Sequence, residues 1–194
     1  MTVHNLTLPV NNSQVELMEI GDTVYLTGTI YTARDMAHLE IKKLLEKGAA
    51  LPAELSGRAI FHAGPVVRKV EKGWEMIVIG PTTSIRMEPH SKMAGELGVK
   101  LIIGKGGMGQ ESKAAFKKYK QAYLQAAPGC AVQLAAGVKK VANVYWLENG
   151  MPEAMWELEV EKFGPLVVTM DAKGNSRYDD LKEKATSKIK EIYG

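Results

Sequence analysis

One cysteine, Cys130, stands in a chain of 194 residues. That scarcity excludes an internal disulfide, a zinc site built from paired cysteines, and an iron–sulfur cluster held by this chain unaided, since such clusters take three or four thiolates. Long apolar runs are missing too: nothing approaches the roughly 20 residues of a membrane span. Met1-Thr-Val-His-Asn-Leu6 lacks the basic-then-apolar order of a secretory signal, so a cytoplasmic protein that avoids membranes is expected. Charge of either sign is not segregated. The 25 basic and 22 acidic residues leave a formal net charge of +3, and their interspersion argues against a nucleic-acid partner, making Lys117, Lys118 and Lys120 a solvated helix face. Also missing are a GxxxxGK[ST] phosphate loop and any Ser-His-Asp or Cys-His spacing.

What is present is enough for one core. Hydrophobic residues make up 45% of the chain, no repeat or low-complexity linker divides it, and the length fits one domain over 1–194 with a charged helical tail from about residue 177. The opening alternates over Asn5–Pro9 and Val15–Ile20, turns at Gly21-Asp22, and enters a β-branched run at Thr23–Ile30. Apolar positions Ala37, Ile41, Leu44 and Leu45 predict a helix from about Arg34 to Lys47, closed by Gly48. Short strands are expected over Ala59–Ala63, Val66–Val70 and Trp74–Ile79. Helices are expected over Met87–Leu97 and Glu111–Gln125. Further strands are expected over Ala131–Ala135, Val141–Leu147, Met155–Val160 and Leu166–Met170, before a helix from Asp179 to Tyr193. Strands come both singly between helices and in runs, which predicts an α/β protein with a mixed sheet and flanking helices.

Two polar turns carry the chemistry. Gly80-Pro-Thr-Thr-Ser-Ile-Arg-Met87 follows the apolar run Met76–Ile79, and Gly104-Lys-Gly-Gly-Met-Gly109 follows Val99–Ile103. Such turns at the ends of neighbouring strands build anion pockets in α/β proteins. Thr82 and Thr83 offer hydroxyls, Arg86 a planar fork, Lys105 a point charge, and Gly106 an unhindered backbone. The set suits a carboxylate or a phosphate. Arg34 sits where a strand hands over to a helix, a place the macrodipole makes unfavourable for a cation. A bound carboxylate relieves that, as does an ion pair with Asp35. His38 lies one turn on, able to face the same way, and His62 ends a strand. Cys130 and the scattered methionines are core filling.

The ordered series Thr-Ala-Arg-Asp-Met-Ala-His (32–38), His-Ala-Gly-Pro (62–65), Gly-Pro-Thr-Thr-Ser-Ile-Arg-Met (80–87) and Gly-Lys-Gly-Gly-Met-Gly (104–109) resembles the β subunit of the iron–sulfur hydro-lyases, class I fumarase and L(+)-tartrate dehydratase. Pro-Gly-Cys-Ala (128–131), Gly-Met-Pro-Glu-Ala-Met-Trp (150–156) and Glu-Lys-Phe-Gly-Pro-Leu (161–166) extend the likeness over nearly the whole chain. The resemblance implies a swivelling β/β/α fold and a separate α subunit, in an αβ or α2β2 assembly. That subunit carries a four-iron, four-sulfur cluster on three cysteines, its open iron acting as Lewis acid on the departing hydroxyl. It also implies that Arg34, Arg86, Lys105 and Gly106 bind a dicarboxylate, with Thr82 beside the reacting carbon and Thr83 its neighbour. Ser84-Ile85 stands where single-chain fumarases tend to have Ala-Gly, pointing to the two-subunit form. Fumarate hydration to (S)-malate is the leading expectation and tartrate dehydration to oxaloacetate the alternative. A stand-alone carboxylate or phosphate module is the reading from a different class.

Overall fold

Short apolar runs that alternate while being buried on both sides organise this molecule. Ala59, Phe61, Leu101, Ile103, Ala122 and Leu124 belong to one buried cluster, whereas the intervening Ile60, Ile102 and Tyr123 belong to another. A strand of period two with both faces covered produces that split.

The computed structural model describes residues 1–193. Its strands are β1 (Val3–Thr7), β2 (Thr23–Thr32), β3 (Ala59–Phe61), β4 (Val66–Val70), β5 (Gly73–Val78), β6 (Leu101–Gly104), β7 (Ala122–Gln125), β8 (Val138–Tyr145) and β9 (Met155–Met170). Its helices are α1 (Asn12–Glu16), α2 (Asp35–Glu46), α3 (Ser91–Glu96), α4 (Gln110–Tyr119), α5 (Ala131–Ala136) and α6 (Arg177–Tyr193), with a 3₁₀ segment over Ser84–His90. Seven strands form one mixed sheet in the order β1-β2-β3-β6-β7-β9-β8, and a further pairing of β2 with β9 closes the ladder into a ring of five. β3, β6 and β7 run parallel, and β9 runs antiparallel to β2, β7 and β8. Inside the ring Phe61 meets Phe163 edge-on at 5.6 Å. Outside it, Ile60, Ile102 and Tyr123 pack with Ala37 and Ile41 of α2, Ala94 of α3 and Phe116 of α4. Each of the buried Ile and Phe side chains contributes roughly 1.5–3 kcal/mol. The β4–β5 hairpin lies apart from the main sheet and joins it through Trp74, edge-on to Trp156 at 5.2 Å.

The mixed α/β architecture is as the sequence predicts, but five of the expected elements or groups of elements differ. Val15–Ile20 is no strand: Asn11 and Gln14 form a capping box that opens α1, a spacing legible in the sequence. The helix expected over Glu111–Gln125 stops at Tyr119, because Lys120 turns left-handed at φ 55°. Ala122–Gln125 then pairs with β6 and β9, tertiary pairing overriding helix propensity. Ala131–Ala136 is helix rather than strand, since a short alanine-rich run has no decisive period. The two strands expected over Met155–Val160 and Leu166–Met170 are one sixteen-residue strand. Pro89 makes the first turns of the Met87–Leu97 helix 3₁₀, with α3 following at Ser91.

Candidate active site

The carboxyl ends of β2, β3 and β6 open on one side of the ring. Arg34 follows β2, His62 and Gly64 follow β3, and Lys105 to Gly107 follow β6, which is the end at which α/β sheets bind ligands. The Pro81–Arg86 segment is drawn between them. Ala63 bridges Pro81 and Thr83 bridges Lys105. The Thr82 N–H donates to His62 O at 2.7 Å, Ser84 N–H to Lys105 O at 3.1 Å, and Lys105 N–H to Thr82 O at 3.3 Å. The two polar turns therefore meet, though not as the ends of neighbouring strands. The first leaves β5 of the separate hairpin, and these backbone bonds bring it in. A depression of about 800 Å³ lined by Asn11, Glu16, Ser56 and Lys100 lies elsewhere, at the amino ends of β3 and β6.

Both arginines already hold carboxylates. Arg86 Nη2 lies 2.9 Å from Asp35 Oδ2 and 3.5 Å from Thr82 Oγ1. Arg34 does not pair with Asp35; its Nη2 lies 3.0 Å from Glu153 Oε1, while Glu153 Oε2 accepts the Met36 N–H at 3.1 Å. Glu153 thus caps the amino end of α2 and neutralises the guanidinium beside it, placing a negative charge where the helix dipole favours one. Sequence reasoning missed Glu153, although it sits in the Gly-Met-Pro-Glu stretch. Gly64 makes room for the fork: a Cβ there would come 2.7 Å from Arg34 Nη1. Arg34 Nε is buried without a partner.

The glycine loop is shaped rather than open. Gly106 and Gly107 take φ of 79° and 72°, and a Cβ on Gly107 would come 2.3 Å from the Tyr178 ring. At the amino end of α4, Glu88 accepts from Gly109 N–H at 2.7 Å and Ser112 N–H at 3.0 Å. Carboxylates of the chain itself therefore sit at the starts of both α2 and α4, where a phosphate would otherwise be cradled. Recognition falls to side chains: half-buried Arg34, Thr82 and Lys105, and exposed Thr83 and Arg86.

Three imidazoles lie beneath. His38 stacks on His90 at 4.9 Å and meets His62 edge-on at 5.5 Å. His38 Nδ1 donates to the Arg34 carbonyl at 2.8 Å, so its ring shares the Arg34 segment without entering the pocket. Burial pushes the His38 imidazole down to about 4, against the opposing bond to that carbonyl. Burial, with His38, His90 and Arg86 nearby, holds His62 well below its usual range.

The donors present do not fit an iron–sulfur cluster. Cys130 is the only thiol; it is half-buried, donates to Ala127 O at 2.6 Å, and burial raises its pKa. Among the described residues no three of His, Cys, Asp and Glu gather as metal ligands, and no helix is long and apolar enough to cross a membrane.

Known proteins share this arrangement of sequence. The family model described as Fumarase C-terminus matches residues 2–181. The "Putative L(+)-tartrate dehydratase subunit beta" of Methanocaldococcus jannaschii is 46% identical over 187 residues, 95% of this chain and 96% of that one. The L(+)-tartrate dehydratase subunit beta of Escherichia coli K12 is 44% identical over 172 residues, 88% of this chain and 84% of that one. The "Putative fumarate hydratase class I" of Geobacillus stearothermophilus is 41% identical over 192 residues, covering 98% of this chain but 36% of the longer relative. The chain belongs to the Fumarase C-terminus family, as a β-subunit-type member of its class I hydro-lyases.

Proposed function

We propose that this chain is the substrate-gripping β subunit of a two-subunit hydro-lyase, and that its reaction is the reversible hydration of fumarate to (S)-malate. The observation that carries the reading is that Arg34 and Arg86, at one end of the ring with Thr82, Thr83 and Lys105, each already grip a carboxylate. In the working site a dicarboxylate takes the place of those internal partners. The two forks bind its carboxylates, Lys105 adds a point charge from the glycine loop, and the Gly106 backbone lets the ligand approach. Thr82 lies beside the reacting carbon. A free threonine hydroxyl is a poor base, and the Arg86 cation, 3.5 Å from Thr82 Oγ1, favours the oxygen that has given up its proton. Thr83 orients the same end of the substrate.

The cluster implied by the resemblance belongs, in this reading, to a cytoplasmic α subunit in an αβ or α2β2 assembly. That subunit covers the open end of the ring, where Ile85, next to Arg86 in the chain, is 49% exposed. One folded unit over 1–194, with α6 as an appended tail, suffices for this half of the site. Dehydration of L(+)-tartrate is the second reading, favoured by the names of the two-subunit relatives. The substrates differ by one hydroxyl, which one or two polar contacts discriminate. Reconstituting the chain with its α subunit and assaying (S)-malate and L-tartrate separately decides between them. Malate turnover is expected. Tartrate turnover without malate turnover selects the second reading, and activity of the chain alone refutes the division of labour.

A further inference from the structure

Behind the cation pocket runs a line of buried polar side chains that the proposed chemistry does not use. His38, His62, Ser84 and Tyr123 are 2%, 1%, 0% and 0% exposed, and they come from α2, the end of β3, the 3₁₀ segment and β7. Tyr123 Oη donates to Ser84 Oγ at 2.9 Å, and Ser84 Oγ lies 2.9 Å from His62 Nδ1. Ser84 has one hydroxyl proton. With Tyr123 donating to it, that proton is directed to His62 Nδ1, which leaves the imidazole proton on Nε2. The node fits only because residue 104 is glycine: a Cβ there would lie 1.9 Å from Ser84 Oγ and 2.9 Å from Tyr123 Oη.

Each end of the line is tied to a ligand-gripping segment. At one end, His38 holds the Arg34 carbonyl, and its ring packs against His62. At the other, His62 O holds Thr82 N–H, while Ser84 N–H and Lys105 N–H tie the threonine segment to the glycine loop. Buried polar groups bonded to one another favour the geometry that keeps those bonds, because breaking one leaves a donor or acceptor unsatisfied. We infer that His38, His62, Ser84 and Tyr123 are positioning residues that hold the Arg34 segment and the Thr82–Arg86 segment in one relation, so that both address the same ligand. The inference rests on the reading of Arg34, Thr82 and Arg86 as ligand groups.

The test compares wild type with Ser84→Ala, the near-isosteric Tyr123→Phe, and the double variant. Reconstituted with the α subunit, Ser84→Ala is expected to lower kcat/KM for the dicarboxylate about 10- to 100-fold, the scale of a misplaced binding group. The double variant should lose no more, since both substitutions break one node. A second readout needs no turnover. In the isolated chain, Ser84→Ala should speed amide exchange at Ser84 and Lys105 about tenfold or more while leaving β2 amides unchanged. Wild-type ¹⁵N spectra should show the His62 proton on Nε2. Unchanged exchange at Ser84 and Lys105 overturns the inference, as does acceleration spread evenly over β2 with normal kcat/KM, which would make the node merely structural. A wild-type enzyme with no dicarboxylate turnover refutes the functional reading instead, and the exchange data then decide the positioning role alone.

Discussion

Arg86 illustrates how differently one side chain weighs on folding and on function. Its pair with Asp35 is 44% exposed on both sides, and exposed pairs of this kind contribute about 0–1 kcal/mol. Arg86→Lys keeps the charge and loses the planar fork. In the reconstituted enzyme it is expected to cost about 2–3 kcal/mol of transition-state stabilisation, a decrease of about 30- to 150-fold in kcat/KM. The thermal midpoint of the isolated chain should stay within about 2 °C of wild type. Steady-state kinetics beside a melting curve check both halves, and the reverse pattern would make Arg86 a structural ion-pair residue. At this scale the cations and hydroxyls that the structure gathers into the candidate site were named from residue type and turn context. Glu153 was not, because it reaches Arg34 across more than a hundred residues and a lone glutamate in a loop carries no local signal.

Among the elements, α6 separates into two parts with different roles. Its first turn is docked: Tyr178 packs on Gly107 and bonds to Gln125, and Asp179 meets Lys113 at 2.5 Å. From Leu181 on, every described side chain of the helix is exposed, and the family match ends at residue 181. A chain ending after Asp180 is therefore expected to melt within about 2–3 °C of the full chain, since little apolar area is lost. Tyr178→Ala should lower the midpoint by about 5 °C or more, through the lost ring packing under the glycine loop. Calorimetry on the two variants distinguishes these outcomes. Elements with a long period or β-branched composition, α2, β2 and the β4–β5 hairpin, were predictable within a few residues. Ala122–Gln125 and Ala131–Ala136 were not, because short runs of Ala, Leu and Gln suit either state until neighbouring strands claim them.

The whole molecule should lose stability to acid in two stages, each with its own cause. His38 is wholly buried and sits at about 4, against about 6.5 in an unfolded chain. Arg34, Asp35, His90 and His62 surround it, with Arg86 and Lys42 further along the cluster. Because the unfolded chain takes up protons at His38 and at His62, which burial likewise holds low, and the folded one refuses them, stability is full above pH 6.5 and declines as pH falls, the His38 share being lost by about pH 4. The loss from His38 alone is about 3 kcal/mol. The second stage belongs to Asp22. Burial pushes its carboxyl up, but hydrogen bonds from the Thr2 N–H, His4 and the Glu19 N–H outweigh burial and hold it at about 2. Its contribution is present above about pH 4 and is lost as pH falls toward 2. Urea unfolding at intervals from pH 7.5 to 2.5 checks both stages. A midpoint that stays flat between pH 6.5 and 4 would show His38 and His62 both free to protonate in the folded state.

By itself the sequence determined the mixed α/β class, the polar turns at 80–87 and 104–109, and the shortage of thiols that leaves this chain unable to hold a cluster. These are matters of residue type and short spacing, for which neighbours in the chain suffice. Only the tertiary structure decided that β2 and β9 close the ladder into a ring, because a ladder bond between residues 31 and 157 has no trace in either segment alone. It also decided that Glu153, not Asp35, holds Arg34. Lastly, it decided that His38, His62, Ser84 and Tyr123 meet behind the pocket, since a buried polar group finds its partner only once the elements carrying both have packed.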